Sequence, residues 1–241
     1  MNLVFDFGNT CQKAAVVADG DILYLASEVC IELKHIKEIC EQYQIKNVIL
    51  SSVVHHNKEI DDYLSANYNF IRFSCETPVP VANNYQTIGS LGSDRLACAV
   101  AAHHFFNEED VLVLQLGTCI TSDFITKDGV YEGGSISPGL DMRFAALHHF
   151  SAKLPLVEYK DIDFIIGSST EKSILSGVIN GITAECNYII EQYNNKYPQL
   201  KVILTGGNVK KIEGTIKGKI LAFPHLVISG LDLILNYNVK K

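Results

Sequence analysis

Two segments of this 241-residue chain carry side chains of the kind that phosphate chemistry uses. LVFDFGNT (residues 3–10) is an apolar run of strand type that delivers Asp6, Phe7, Gly8, Asn9 and Thr10, and VLVLQLGTCITSD (111–123) repeats it with Gln115, Leu116, Gly117 and Thr118. A shift of 109 positions lays Gly8 on Gly117 and the pair Asp19-Gly20 on Asp128-Gly129. A glycine without a Cβ lets the backbone approach a phosphate, and the hydroxyl and amide groups beside it bind oxygens. Lys13 adds a positive charge, and Asp6 is a candidate to hold magnesium-bound water. Taken alone, either turn reads more readily as an ordinary hairpin, because hairpins use the same residues. The second copy reverses that balance, since two such turns facing each other would clamp a phosphate chain.

LGSDRLA (91–97) is the other segment with chemistry in it. Asp94 is a carboxylate able to accept a proton, and Arg95 a guanidinium able to bind a carboxylate or phosphate through two donors. The competing structural reading has Asp94 capping a helix and Arg95 pairing on the surface. TGG (205–207) offers a third glycine turn after a strand, where Gly206 and Gly207 could admit a nucleotide. GGSISPG (133–139) reads as a glycine-rich turn, equally a loop that stacks against the clamp or a chain reversal ahead of a helix. The pairs His55-His56, His103-His104 and His148-His149 lack metal-ligand spacing, because adjacent helical side chains do not share a face.

These residues need elements to hold them. Periodicity predicts strands at 2–7, 12–18 and 21–27 with Asp19-Gly20 as a hairpin turn, a helix at 35–43, a strand at 47–53 and a helix at 59–68. A long loop is expected from Ser74 to Leu91, then an alanine-rich helix at 93–106 and a polar link at 107–110. The pattern then restarts with strands near 111–116, 119–126 and 129–132, a helix at 140–149, and a long helix at 170–195. Ser168 and Glu171 are spaced as a capping box before that helix. A strand at 201–207 and a closing helix at 226–236 complete a β-β-β-α-β-α order that occurs twice, with an extra long helix in the second copy.

A net charge of −7 argues against a basic surface for nucleic acid. The seven cysteines are odd in number, form no CxxC pair, and read as small apolar residues rather than zinc ligands. The opening MNLVFDFGNT lacks the basic start and long apolar core of a signal peptide, and no run is long enough for a membrane span. A cytoplasmic protein without membrane or nucleic-acid partners is therefore expected.

In sequence order, DFGNT, GSDR, LGTCITSD, GGSISPGL and TGG resemble the type III pantothenate kinases over nearly the whole chain. The resemblance implies an α/β fold of the acetate and sugar kinase, Hsc70 and actin superfamily. That fold consists of duplicated ribonuclease H-like, actin-like ATPase domains with mixed five-stranded sheets flanked by helices, expected here at 1–108 and 109–241. It further implies ATP-dependent phosphorylation of pantothenate, the first step of coenzyme A biosynthesis, by a homodimer. Residues Asp6, Phe7, Gly8, Asn9, Thr10, Cys11, Gln12 and Lys13 would then hold ATP, with Thr118, Gly206 and Gly207 joining them, and Asp6 would hold Mg2+ through water. Gly92, Ser93, Asp94, Arg95, Tyr85 and Thr170 would bind pantothenate, with Asp94 as the catalytic proton acceptor and Arg95 near the substrate carboxylate.

Gln115 departs from the pattern, for the resembled family has an aspartate there that coordinates potassium or ammonium. An amide oxygen still ligates a monovalent cation, but without a formal charge. The alternatives are another small-alcohol kinase, a phosphohydrolase of the same superfamily, or a nucleotide-binding regulatory protein without turnover. Retention of both Asp6 and Asp94 favours an enzyme.

Overall fold

The computed structural model describes residues 1–239. In chain order the elements are β1 (Asn2–Phe7), β2 (Gln12–Ala18), β3 (Asp21–Glu28), α1 (Leu33–Gln42), β4 (Asn47–Ser52), α2 (Lys58–Asn67), β5 (Asn69–Arg72), β6 (Ala82–Asn83), α3 (Ser93–Phe105), β7 (Val111–Leu116), β8 (Cys119–Ile125) and β9 (Val130–Pro138). They continue with α4 (Leu140–His149), α5 (Thr170–Lys196), β10 (Lys201–Thr205), α6 (Val209–Ile212), β11 (Ile220–Ala222) and α7 (Leu226–Val239). Among the described residues no helix is long and apolar enough to cross a membrane.

Contacts divide the chain into two compact units. The first holds Met1–Phe105, Gly129–Tyr131 and the segment from His225 onward; the second holds Phe106–Asp128 and Glu132–Pro224. This division differs from the expected halves 1–108 and 109–241, because α7 packs against α3 and β1. Gly230 makes that packing possible: a Cβ there would overlap the Ala97 carbonyl oxygen. The small side chains of α3 are buried almost all round, from Ala97 to Ala102, so its alanines serve close helix packing as well as helix propensity.

The first unit has a sheet in the order β3-β2-β1-β4-β5. β2 runs antiparallel to β1 and β3, whereas β4 is parallel to β1 and β5 to β4. Asp19 and Gly20 have φ of 52° and 89°, both left-handed, as a two-residue type I′ hairpin requires. Leu3, Phe5 and Phe7 pack with Ile36, Ile39, Ile60 and Leu64 of α1 and α2, and Asp6 lies on the opposite face. The same unit contains a two-residue parallel ladder of β6 with Val130 and Tyr131, so the expected loop at 74–91 is partly tied down.

The second sheet repeats the order as β9-β8-β7-β10-β11, and the short β6 adds a sixth strand at the β9 edge. β8 is antiparallel to β7, and β10 and β11 are parallel to their neighbours. The core of the second unit lies between this sheet and α5, through Leu112, Leu114, Leu116, Ile174, Val178, Ile182 and Ile190. Five strands of each sheet thus share one mixed arrangement, and the duplication legible in LVFDFG and VLVLQLG is a duplication of topology.

Three local features depart from expectation. GGSIS is not a turn: β9 continues to Pro138, and Gly134 is required because a Cβ there would overlap the Ser122 carbonyl of β8. The cap of α5 is Ser169, whose hydroxyl accepts the Lys172 N–H at 3.3 Å. Ser168 lies one residue too early, and Glu171 pairs instead with Lys160 at 2.6 Å. The short strands β5 and β11 show no period in the sequence, since neither has a buried position to produce one.

Candidate active site

The β1–β2 hairpin ends on the pair Phe7 and Gln12, leaving Gly8, Asn9, Thr10 and Cys11 as the loop. Gly8 N–H donates to the Cys11 carbonyl at 3.1 Å, and Asn9 and Thr10 are exposed at the tip. Asp6 and Lys13 are register partners, and so project from the same face of the sheet. Phe7 and Gln12 point the other way. Phe7 is buried in the core, and Gln12 accepts the Ile31 N–H through Oε1 at 2.6 Å. Any contact of these two residues with a nucleotide therefore comes from their backbone.

The register also brings Ser51 of β4 opposite Asp6. Its hydroxyl lies 2.7 Å from that of Ser93, the first residue of α3, and this bond hangs the start of α3 beside Asp6. The Asp6 carboxyl is pushed up to about 6, chiefly by burial; the Lys13 charge opposes the shift and the nearby Asp94 charge adds to it. Gly92, not Asp94, is at the cap position, since its carbonyl accepts the Leu96 N–H at 3.2 Å. A Cβ on Gly92 would lie 2.7 Å from Asp94 Oδ1, so the glycine leaves room for the carboxylate.

Arg95 is only 4% exposed, which sets aside the surface-pair reading. Its guanidinium carbon lies 5.6 Å from the centre of the Tyr85 ring, a cation–π distance. Tyr85 in turn lies 6.1 Å from the Tyr131 ring, and its N–H donates to Asn83 Oδ1 at 2.9 Å. The first unit thus gathers Asp6, Lys13, Gly92, Ser93, Asp94, Arg95 and Tyr85. His225, at the start of α7, joins them unannounced by any sequence pattern; burial and the Lys13 charge hold its imidazole below the usual range.

In the second unit the β7–β8 turn is one residue tighter. Leu116 pairs with Ile120, and Gly117 N–H donates to the Cys119 carbonyl at 3.0 Å. Gln115 faces Thr121 on β8 and Thr205 on β10, so an amide–hydroxyl pair stands where the first copy has Asp6 and Lys13. Two residues along β8 on the same face is Asp123, fully buried and accepting from Thr121 Oγ1 at 2.8 Å. The TSD run offered this carboxylate, but only burial distinguishes it. Gly206 has φ +101°, and a Cβ there would overlap the Leu116 carbonyl, whereas Gly207 has open space. Gln115, Thr118, Gly206 and Gly207 therefore cluster at one end of β7. Thr170 lies instead on the wall of a cavity of about 740 Å³, with Pro138, Arg143, Leu154 and Gly177.

Residues 2–192 match the family model of the type III pantothenate kinases. The chain belongs to the type III pantothenate kinase family. A type III pantothenate kinase from Phocaeicola vulgatus is 42% identical over 241 residues, covering 100% of both chains. Among solved structures, a conserved putative Baf family transcriptional activator from Campylobacter jejuni aligns with TM-score 0.60 and 22% identity over 99% of this chain and 100% of that one. The activator of 2-hydroxyisocaproyl-CoA dehydratase from Clostridium difficile, with bound ADPNP, aligns with TM-score 0.57 and 13% identity over 99% and 95%. At these identities the structures speak for the fold, which is the duplicated actin-like ATPase fold seen in this pantothenate kinase family member.

Proposed function

We propose that this chain transfers the γ-phosphoryl group of ATP to the terminal hydroxyl of pantothenate, giving 4′-phosphopantothenate and ADP. The observation that carries the reading is the Asp6, Lys13 and Asp94 constellation around a bare glycine turn, in a chain of this family. Residues Asp6 to Lys13 bind the ATP phosphates, with Thr118, Gly206 and Gly207 as further nucleotide contacts. Asp94 accepts the proton of the attacking hydroxyl as the new O–P bond forms and the bond from the γ-phosphorus to ADP breaks. Arg95, braced by Tyr85, takes the pantothenate carboxylate, while Gly92 and Ser93 complete the acceptor site.

A carboxyl raised by burial and by a second carboxylate is suited to a divalent cation, because the cation relieves both effects. Asp6 would hold Mg2+ through water, and the ion bound with ATP supplies charge neutralisation at the phosphate oxygens. Gln115 offers an amide oxygen to potassium or ammonium, and we expect that dependence to be weak. The cysteines among the described residues are free thiols, in keeping with a reducing cytoplasm.

We also propose a homodimer. The apolar positions of α5 are mostly buried within their own unit, so the surface offered is the segment after α4, where Phe150, Ile165 and Ile166 are 85%, 82% and 86% exposed. The decisive experiment follows ADP release with magnesium and ATP. Release only when pantothenate is added, with 4′-phosphopantothenate formed, supports the kinase; equal release without pantothenate indicates a phosphohydrolase, and no release under any cation a binding protein.

A further inference from the structure

The β7–β8 turn is held from outside by the last residues of β9 and the glycine that follows them. Gly139 N–H donates to the Thr118 carbonyl at 3.0 Å, and a Cβ on Gly139 would overlap the Gly117 and Thr118 carbonyl oxygens. Gly139 has φ −73°, so it is required here for space, not for backbone freedom. Wherever the segment Ser137–Gly139 sits, the Gly117–Thr118 backbone must follow.

That segment is set by one polar cluster drawn from two helices. Arg143 of α4 donates through Nε to the Pro138 carbonyl at 2.8 Å and through Nη2 to Ser137 Oγ at 3.4 Å. The same Nη2 pairs with Glu185 of α5, whose other oxygen accepts the Ser137 hydroxyl. The Arg143 backbone N–H closes the set by donating to the Gly139 carbonyl at 3.0 Å. With side chains 21% and 27% exposed, the pair is better shielded than a surface ion pair. A pair that only tied α4 to α5 would not need the arginine Nε committed to a backbone carbonyl one residue before the glycine.

We propose that Arg143 and Glu185 are positioning residues for phosphoryl transfer, fixing Ser137–Gly139 so that Gly139 holds the Gly117–Thr118 turn in its phosphate-binding form. The proposal rests on the reading of Thr118 as a nucleotide contact. In it, neither side chain touches the substrates.

The test combines kinetics with backbone amide exchange in the full chain. ATP should slow exchange of the 117–119 amides in the unmodified protein. Arg143→Met and Glu185→Gln should each raise KM for ATP on the order of tenfold, the scale of loss expected when a binding group is displaced by a fraction of an ångström. KM for pantothenate should change little, and the Gly139 amide should exchange faster. Combining the two substitutions should be no worse than Arg143→Met alone, because both act through one cluster. Should Arg143→Met fail to fold, Glu185→Gln, which keeps size and a bond to Ser137, carries the same test. Absence of ATP protection at 117–119 would remove the Thr118 reading and the proposal with it. Protection there, with ATP KM and Gly139 exchange unaltered in the folded variants, would overturn the positioning role alone.

Discussion

Asp6 and Lys13 face each other across the β1–β2 ladder, so a carboxylate and an ammonium flank the Gly8 turn from the same side of the sheet. The lysine does not win: burial and Asp94 together raise the Asp6 carboxyl from its ordinary 3.8 to about 6. The protonated form is therefore favoured by folding, and the stability this group contributes is fully present below about 3.8 and lost as pH rises through about 6. The loss is on the order of 3 kcal/mol. Asp6→Asn, which cannot ionise, should melt at a higher temperature than the unmodified protein at pH 8 and at nearly the same temperature at pH 4. Its kinase activity should be lost at every pH, because an amide cannot carry the charge that holds the magnesium-bound water. Thermal melts and turnover across that range check both parts.

Asp94 stands in the first turn of α3 without capping it, since Gly92 occupies the cap. Asp94→Asn should therefore leave the fold intact while turnover falls by roughly 10²- to 10⁴-fold, the usual worth of a positioned general base. A folded Asp94→Asn protein with near-normal turnover would remove the proton-acceptor role.

At Gln115 the second copy lacks the charge that Asp6 carries in the first. Attraction between unit charges in ligand contact amounts to several kcal/mol even at an effective dielectric of about 20. Activity should thus respond weakly to potassium or ammonium, and Gln115→Asp should steepen the response. Turnover across a potassium series, balanced with a bulky organic cation at fixed ionic strength, measures it. A steep requirement in the unmodified protein would refute the expectation.

Gly206 and Gly207 are adjacent but differently constrained. Gly206→Ala must adopt φ +101° and push against the Leu116 backbone, at a cost of about 1–2 kcal/mol for the left-handed conformation alone. Gly207→Ala meets nothing within 4 Å, so it should leave stability nearly unchanged while weakening ATP binding. Denaturant melts paired with ATP titrations separate the two effects.

If the exposed Ile165 and Ile166 serve a second copy, the mass in solution should be twice the chain's 26.6 kDa. Ile166→Glu should then favour the monomer and lower activity. Light scattering at micromolar concentration distinguishes these outcomes, and a fully active monomer would exclude the dimer.

The local code was readable in the chain itself. The runs at 2–7 and 111–116 are apolar because central strands are covered on both faces, and Asp19-Gly20 spells its own turn. The glycine turns, GSDR and the long helix from Thr170 likewise lie within short windows whose period or turn chemistry is self-contained, so the duplicated order could be read from the sequence alone. Tertiary structure decided what depends on distant partners. Ser51 meets Ser93 across 42 positions, and Arg143 meets Glu185 across the same span. Nothing in the residues around Asn2 signals that its buried side chain donates to Asp232 at 2.7 Å, a bond that helps α7 return to the first unit. Gly134 and Gly139 look like turn formers, yet each is there because another backbone passes too close for a side chain. Such contacts have no period and no neighbouring signal: packing brings the partners together only after the sheets have formed, and only then do a carboxylate's burial, a cap's identity and a helix's companion take definite values.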